Sequence, residues 1–178
     1  MNGVGLFLWM PSEDGEKERM LGQLQGAFQE LGVEILQLNI ASEGAFEKLG
    51  EIDRYFAAQP PGRKRFVFSI DGDGFGLTLK MDGLWVDNIQ YNVFTYLTGH
   101  PSQFGQRLAG INSWYISILN SQEEGVAYIE EHYPHLDGIE YMAWPREEGE
   151  DGGNLAEGVV GGMEKLILFA EEILNRCK

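Results

Sequence analysis

Three short apolar runs near the start of the chain alternate with segments whose apolar residues recur every three or four positions. The runs cover residues 4–10, 33–40 and 66–70. The first of these runs is continuously apolar, as is typical of a strand that is buried on both faces of a sheet. Helical spacing in the two intervening segments gives the order β-α-β-α-β, and parallel strands need such crossover connections. The alternation therefore predicts a parallel sheet covered by helices on both faces.

The second half of the chain continues this pattern less regularly. Residues 75–90 predict a helix or an irregular crossover, and further apolar runs at 91–97, 114–119 and 139–144 bring the number of strands to about six. We predict a Rossmann-like three-layer α/β/α sandwich with a mainly parallel sheet, formed as a single domain over residues 1–178. Residues 145–154 form an acidic loop, and residues 155–176 carry the apolar spacing of a C-terminal helix.

The charge of the chain excludes two classes of partner. Acidic residues number 28 and basic residues 13, which gives a formal net charge of −15. A field of this sign repels a nucleic-acid backbone and an anionic membrane surface, so we expect no nucleic-acid partner. No apolar stretch has the length of a membrane span. The lone cysteine, Cys177, and the absence of a basic segment at the N-terminus favour a cytoplasmic protein.

Polar and glycine residues follow the predicted strands, at the edge where ligands bind in open α/β sheets. Glycines there allow backbone N–H groups to approach a ligand, a histidine serves as a general base or an anion-binding group, and an arginine reaches a phosphate or a carboxylate. The structural alternatives are a plain turn after the third strand, a histidine held in place by Pro101, and a solvent-facing arginine. The candidate ligand-binding residues are Asp71, Gly72, Asp73, Gly74, Phe75, Thr98, Gly99, His100 and Arg146.

Several well-known site patterns are missing from the sequence. Gly72, Gly74 and Gly76 follow the third strand, whereas a dinucleotide fingerprint lies in the first strand-helix turn. The loop at 71–74 lacks the later ligands of a calcium loop. No zinc cluster, nucleophile-histidine-acid spacing or carboxylate pair can be read from the chain. We predict no metal and no cofactor, and we assign no catalytic residue.

Residues 66–145 carry a family resemblance. The stretches "FVFSIDGDGFGLTL" and "YNVFTYLTGHP", followed by a helix that ends near "HYP" and by "YMAWP", resemble the N-terminal half of the CgeB-like (spore maturation protein) glycosyltransferases and their bacterial relatives. The chain departs from that family in three ways. Gly99 stands where relatives often carry an acidic residue, Trp144-Pro145 stands where a histidine is expected, and no second domain follows.

The resemblance implies a glycosyltransferase of the GT-B type, in which the N-terminal domain holds the acceptor and a second domain holds the nucleotide-sugar. We therefore expect a glycosyltransferase-like domain that binds a sugar or nucleotide-sugar, acts with a separate donor-binding subunit and is not catalytic alone. The alternative is a non-catalytic binding or regulatory module on the same fold, which would use an exposed apolar patch to bind another protein or a second copy of itself.

Overall fold

The structure is a computed structural model that describes residues 3–79, 83–89, 91–112, 116–120, 122–136, 138–145 and 155–177, with side chains from residue 162 in the last range. Six of the strands form one sheet, and two very short strands form a separate pair. In chain order the strands are β1 (Gly3–Trp9), β2 (Val33–Asn39), β3 (Lys64–Ile70), β4 (Thr78–Leu79), β5 (Gly83–Leu84), β6 (Asn92–Leu97), β7 (Ile116–Asn120) and β8 (Gly138–Tyr141).

The six-stranded sheet has the order β2-β1-β3-β6-β7-β8, and every neighbouring pair is parallel. Strand β1, which is next to the edge strand β2, pairs with β2 on one side and with β3 on the other, so that Phe7 lies opposite both Gln37 and Phe68. The predicted parallel sheet is confirmed. The crossover after β3 differs in detail from a plain helix, because β4 and β5 form an antiparallel pair there.

Helices cover both faces of the sheet, which confirms the three-layer α/β/α arrangement. Helices α1 and α6 pack on one face, and α2 to α5 contribute their buried residues to the other. The predicted C-terminal helix is α6, which packs against α1 and the sheet. The helices are α1 (Glu16–Glu30), α2 (Ala45–Ala57), α3 (Trp85–Asn88), α4 (Gly105–Leu108), α5 (Glu123–His132) and α6 (Leu155–Arg176).

The two faces of the sheet differ in composition. Leu6, Leu8 and Val67 face α2 to α5, whereas the face under α1 and α6 is built largely from phenylalanine rings. The rings of Phe28 and Phe66 pack with their centroids 4.9 Å apart. Because apolar side chains fill both faces, the inner strand β1 carries a continuous apolar run instead of an alternating pattern, whereas the edge strand β2 includes Glu34 and Gln37.

Strand order reverses between β1 and β3, since the chain passes from β1 to β2 on one side and then returns across β1 to β3. The crevice beyond the carboxyl ends of these two strands is the usual binding position in such a sheet. It is bordered by the segments that begin at Met10 and Asp71. Within the described residues, no helix combines the length and the apolar character needed to cross a bilayer.

Candidate functional site

The loop after β3, Asp71 to Phe75, is folded into the protein. Asp71 has a φ of 55°, Gly72 of 69° and Gly74 of 89°, so three of the five loop residues have a positive φ. A β-carbon at Gly74 would lie 2.7 Å from Cδ1 of the buried Leu8, which explains the requirement for glycine there. All five residues from Asp71 to Phe75 are buried. The loop packs against the end of β1 rather than opening toward solvent.

Asp73 connects the loop to three other elements. Its side chain is almost fully buried, and Oδ2 accepts a hydrogen bond from the backbone N–H of Met10 at 3.0 Å. Nζ of Lys17, in the first turn of α1, lies 3.3 Å from Oδ1, and Nη1 of Arg107, in α4, lies 3.1 Å from the same oxygen. One carboxylate therefore joins the ends of β1 and β3 to α1 and α4.

Asp71 makes a second set of contacts beside the first. Its Oδ1 accepts hydrogen bonds from the backbone N–H of Thr98 at 2.8 Å and from the Thr98 hydroxyl at 2.9 Å. Lys17 lies 3.3 Å from its Oδ2, and Arg107 donates to its carbonyl oxygen. We refer to Lys17, Asp71, Asp73 and Arg107 as the ion network. Two nearly buried carboxylates are balanced there by two cations, as buried charges require.

The turn after β6, Thr98 to His100, is open to solvent by comparison. Thr98 is exposed, and Gly99 and His100 are half-buried. His100 is the N-cap of a 3₁₀ helix at Pro101–Phe104, and its Nδ1 accepts from the backbone N–H of Ser102 at 3.3 Å. The imidazole also packs edge-on against Tyr128 of α5, with ring centroids 4.9 Å apart. This turn is fixed to the ion network through Thr98.

The turn between β1 and α1 is acidic and satisfies its own backbone donors. The N–H of Glu16 donates to Asp14 Oδ1 at 3.0 Å, and the N–H of Lys17 donates to the Ser12 hydroxyl at 3.4 Å. The same hydroxyl donates to Glu18 Oε2 at 2.6 Å. The Glu16 N–H lowers the pKa of Asp14, and the Ser12 hydroxyl lowers the pKa of Glu18, so both carboxylates are charged at neutral pH.

The structure brings eight of the nine candidate residues to one edge of the sheet, in two neighbouring segments. The ninth, Arg146, lies outside the described residues. Sequence reasoning missed Lys17 and Arg107, because they lie 56 and 34 residues from Asp73 and no local pattern marks them as its partners. It also did not select Ser12 as a candidate, since Ser12 precedes the helix N-cap, Gly15, and so lies outside the usual capping position.

The described residues offer little toward metal or thiol chemistry. Among them, no group of three or more histidine, cysteine, aspartate or glutamate side chains is placed to hold a metal ion. Burial raises the pKa of the Cys177 thiol to about 12, so this cysteine is protonated and unreactive at neutral pH.

Comparison of the chain with protein-family models, curated proteins and solved structures finds no match.

Proposed function

We propose that this chain is a glycosyltransferase-like domain of the GT-B N-terminal type, which binds a neutral acceptor sugar at the carboxyl edge of its sheet. It acts with a separate donor-binding subunit and does not catalyse transfer alone. The observation that carries the proposal is the solvent-facing turn Thr98–His100, which presents polar groups beside the point where strand order reverses.

Hydrogen-bonding capacity at this turn suits a ligand rich in hydroxyl groups. The Thr98 hydroxyl donates to Asp71, and its oxygen keeps acceptor capacity on an exposed side chain. Nδ1 of His100 is hydrogen-bonded to Ser102, whereas Nε2 has no hydrogen-bond partner among the described residues. The turn is held rigidly because Thr98 is tied to Asp71 and the Gly99 carbonyl accepts from Asn120 at 3.2 Å. A rigid polar turn reduces the entropy lost on binding.

The charges around the crevice support an acceptor role over a donor role. Nucleotide phosphates bind where helix N-terminal N–H groups and cations are available. Here the first N–H groups of α1 are taken by Asp14 and Ser12, and four acidic residues occupy positions 13–18. The nearby cations, Lys17 and Arg107, are already paired with Asp71 and Asp73. A phosphate group would meet unfavourable charge at this turn.

The ion network also supports a binding role without autonomous catalysis. A general base needs a proton acceptor that can reach the substrate. Asp73 is buried and engaged by a lysine, an arginine and a backbone N–H, and Asp71 is engaged by Thr98 and Lys17. Neither carboxylate is presented to solvent. These two carboxylates therefore support the structure of the proposed site and take no part in its chemistry.

Thermal unfolding in the presence of ligands tests the proposal. The panel contains glucose, galactose, N-acetylglucosamine and maltose as neutral sugars, with UDP and UDP-glucose as phosphate-bearing compounds. A ligand at about 100 times its Kd adds about 2.7 kcal/mol of stability. We expect a neutral sugar to raise Tm, Thr98→Ala to reduce the shift, and His135→Ala to leave it unchanged, because His135 precedes β8 at the opposite edge.

Other outcomes point elsewhere. Stabilisation by UDP or UDP-glucose alone would contradict the acceptor role and favour donor binding. No shift with any compound would favour the alternative of a protein-binding module.

Large exposed apolar side chains are present on α2 and α6, but these helices lie on opposite faces of the sheet. Phe46 and Leu168 therefore do not belong to one patch.

A further inference from the structure

We infer that Ser102 holds His100 in the tautomer with its proton on Nε2, so that the ring presents a hydrogen-bond donor at the carboxyl edge and not a general base. The evidence is the contact between the backbone N–H of Ser102 and Nδ1 of His100 at 3.3 Å. A backbone N–H can only donate, so Nδ1 must keep its lone pair. In a neutral imidazole the proton then resides on Nε2.

The sequence around the turn explains why a histidine takes this role. Pro101 is the first residue of the 3₁₀ helix and has no N–H, so the N–H of Ser102 is the first backbone donor of that helix. Such a donor needs an acceptor from the N-cap side chain. His100 has the extended backbone of an N-cap, with φ −65° and ψ 135°, and its Nδ1 supplies the acceptor. The Ser102 hydroxyl lies 2.8 Å from the same nitrogen.

The orientation of the ring is fixed by contacts on another element. His100 packs edge-on against Tyr128, and Tyr128 in turn stacks on His132 with ring centroids 4.0 Å apart and an interplanar angle of 15°. Among the described residues, none accepts a hydrogen bond from His100 Nε2. The ring is therefore held in one position, with its N–H directed away from its own cap.

This assignment names the chemical group that His100 recognises. A fixed N–H donor binds an acceptor oxygen, which in a neutral sugar is a hydroxyl, ring or carbonyl oxygen. The ligand part of the inference rests on the proposed function, whereas the tautomer does not. Ser102 is thus a positioning residue, and His100 is the residue that contacts the ligand.

The tautomer can be measured on the ligand-free protein. Long-range ¹H–¹⁵N spectra of uniformly ¹⁵N-labelled chain distinguish the two neutral tautomers by the shifts and couplings of the ring nitrogens. The chain has 3 histidines, and the spectrum of His100→Asn assigns the His100 signals by their loss. We expect the neutral ring to carry its proton on Nε2 in the wild type and in Ser102→Ala, which keeps the backbone donor. A neutral ring with its proton on Nδ1 would overturn the inference.

The ligand part is tested with His100→Asn. The asparagine oxygen can replace Nδ1 as the cap acceptor, but its side chain provides no donor at the position of Nε2. We expect an unchanged Tm and about tenfold weaker binding of the sugar that stabilises the wild type, as for one lost hydrogen bond. Unchanged sugar affinity would show that His100 is only a cap. If no sugar binds the wild type, the proposed function fails while the tautomer measurement still decides the role of Ser102.

Discussion

The loop Asp71–Phe75 and the turn Thr98–His100 follow two hydrogen-bonded neighbouring strands and lie at the same edge of the sheet. They nevertheless differ in burial and in how their polar groups are used. The loop is buried and its two carboxylates are used by Lys17, Arg107, Thr98 and the N–H of Met10. The turn exposes Thr98 and leaves His100 half-buried.

The difference shows that a glycine- and acid-rich loop can serve as a support for a site without being the site. A buried carboxylate is stable only when charges and hydrogen bonds satisfy it, so the residues around Asp71 and Asp73 are committed to one another. The neighbouring turn is hydrogen-bonded to this network through Thr98, and its remaining polar groups are accessible to solvent. The following predictions test that contrast from the largest expected effect to the smallest.

Glycine-to-alanine substitutions in the two segments should differ most. Gly74→Ala places a side chain at φ 89° and 2.7 Å from the buried Leu8, and we expect a loss of about 3 kcal/mol. Gly99→Ala meets only the end of the exposed Gln103 side chain, so we expect a change within about 0.5 kcal/mol. Urea unfolding measures both. Equal losses would contradict the contrast.

Substitutions of Thr95, in β6, and of Thr98, in the turn that follows this strand, provide a second comparison. Thr95 is fully buried and its hydroxyl oxygen accepts from the N–H of Gly72 at 2.8 Å, so Thr95→Val leaves a buried donor unsatisfied and should cost about 2 kcal/mol. Thr98→Val keeps the backbone bond to Asp71, and we expect a loss of less than about 1 kcal/mol. A larger loss for Thr98→Val in chemical denaturation would show that the turn is the more tightly integrated segment.

Removing one cation tests the ion network itself. Lys17→Met keeps the apolar stem but removes the charge beside Asp71 and Asp73, and we expect a loss of about 1 kcal/mol because Lys17 retains 19% exposure. The exposed Lys48 in α2 provides the control, and Lys48→Met should have almost no effect. If the two variants unfold at the same urea concentration, the network does not stabilise the loop.

The acidic turn before α1 should give the smallest effect and a distinct pH dependence. The Ser12 hydroxyl lowers the pKa of Glu18 below its ordinary value of 4.5, and a lowered folded-state pKa adds stability above the unfolded pKa. This contribution is lost as the pH falls through the folded pKa. Ser12→Ala should therefore be less stable than the wild type at pH 7, and the difference should become smaller toward pH 2, where only the lost hydrogen bond from the Lys17 N–H remains. A stability difference that is constant between these pH values would exclude this linkage.

The sequence predicted the positions of the main strands along the chain and their alternation with helices, because apolar runs and helical spacing are local signals; it did not predict the order of the strands in the sheet. It did not predict β4 and β5, since two-residue strands leave no periodic pattern. Nor did it predict which polar groups are used internally. The partners of Asp73 are Met10, Lys17 and Arg107, and only the assembled sheet brings these distant residues together.

The free energies of unfolding of Asp73→Asn and His100→Asn, measured side by side in urea without ligand, test the central claim most directly. Asp73→Asn removes the charge that balances Lys17 and Arg107, and we predict a loss of about 2 kcal/mol. His100→Asn keeps a cap acceptor for Ser102, and we predict a change within about 0.5 kcal/mol. A stable Asp73→Asn variant beside a strongly destabilised His100→Asn variant would contradict the assignment of support to the loop and of binding to the turn.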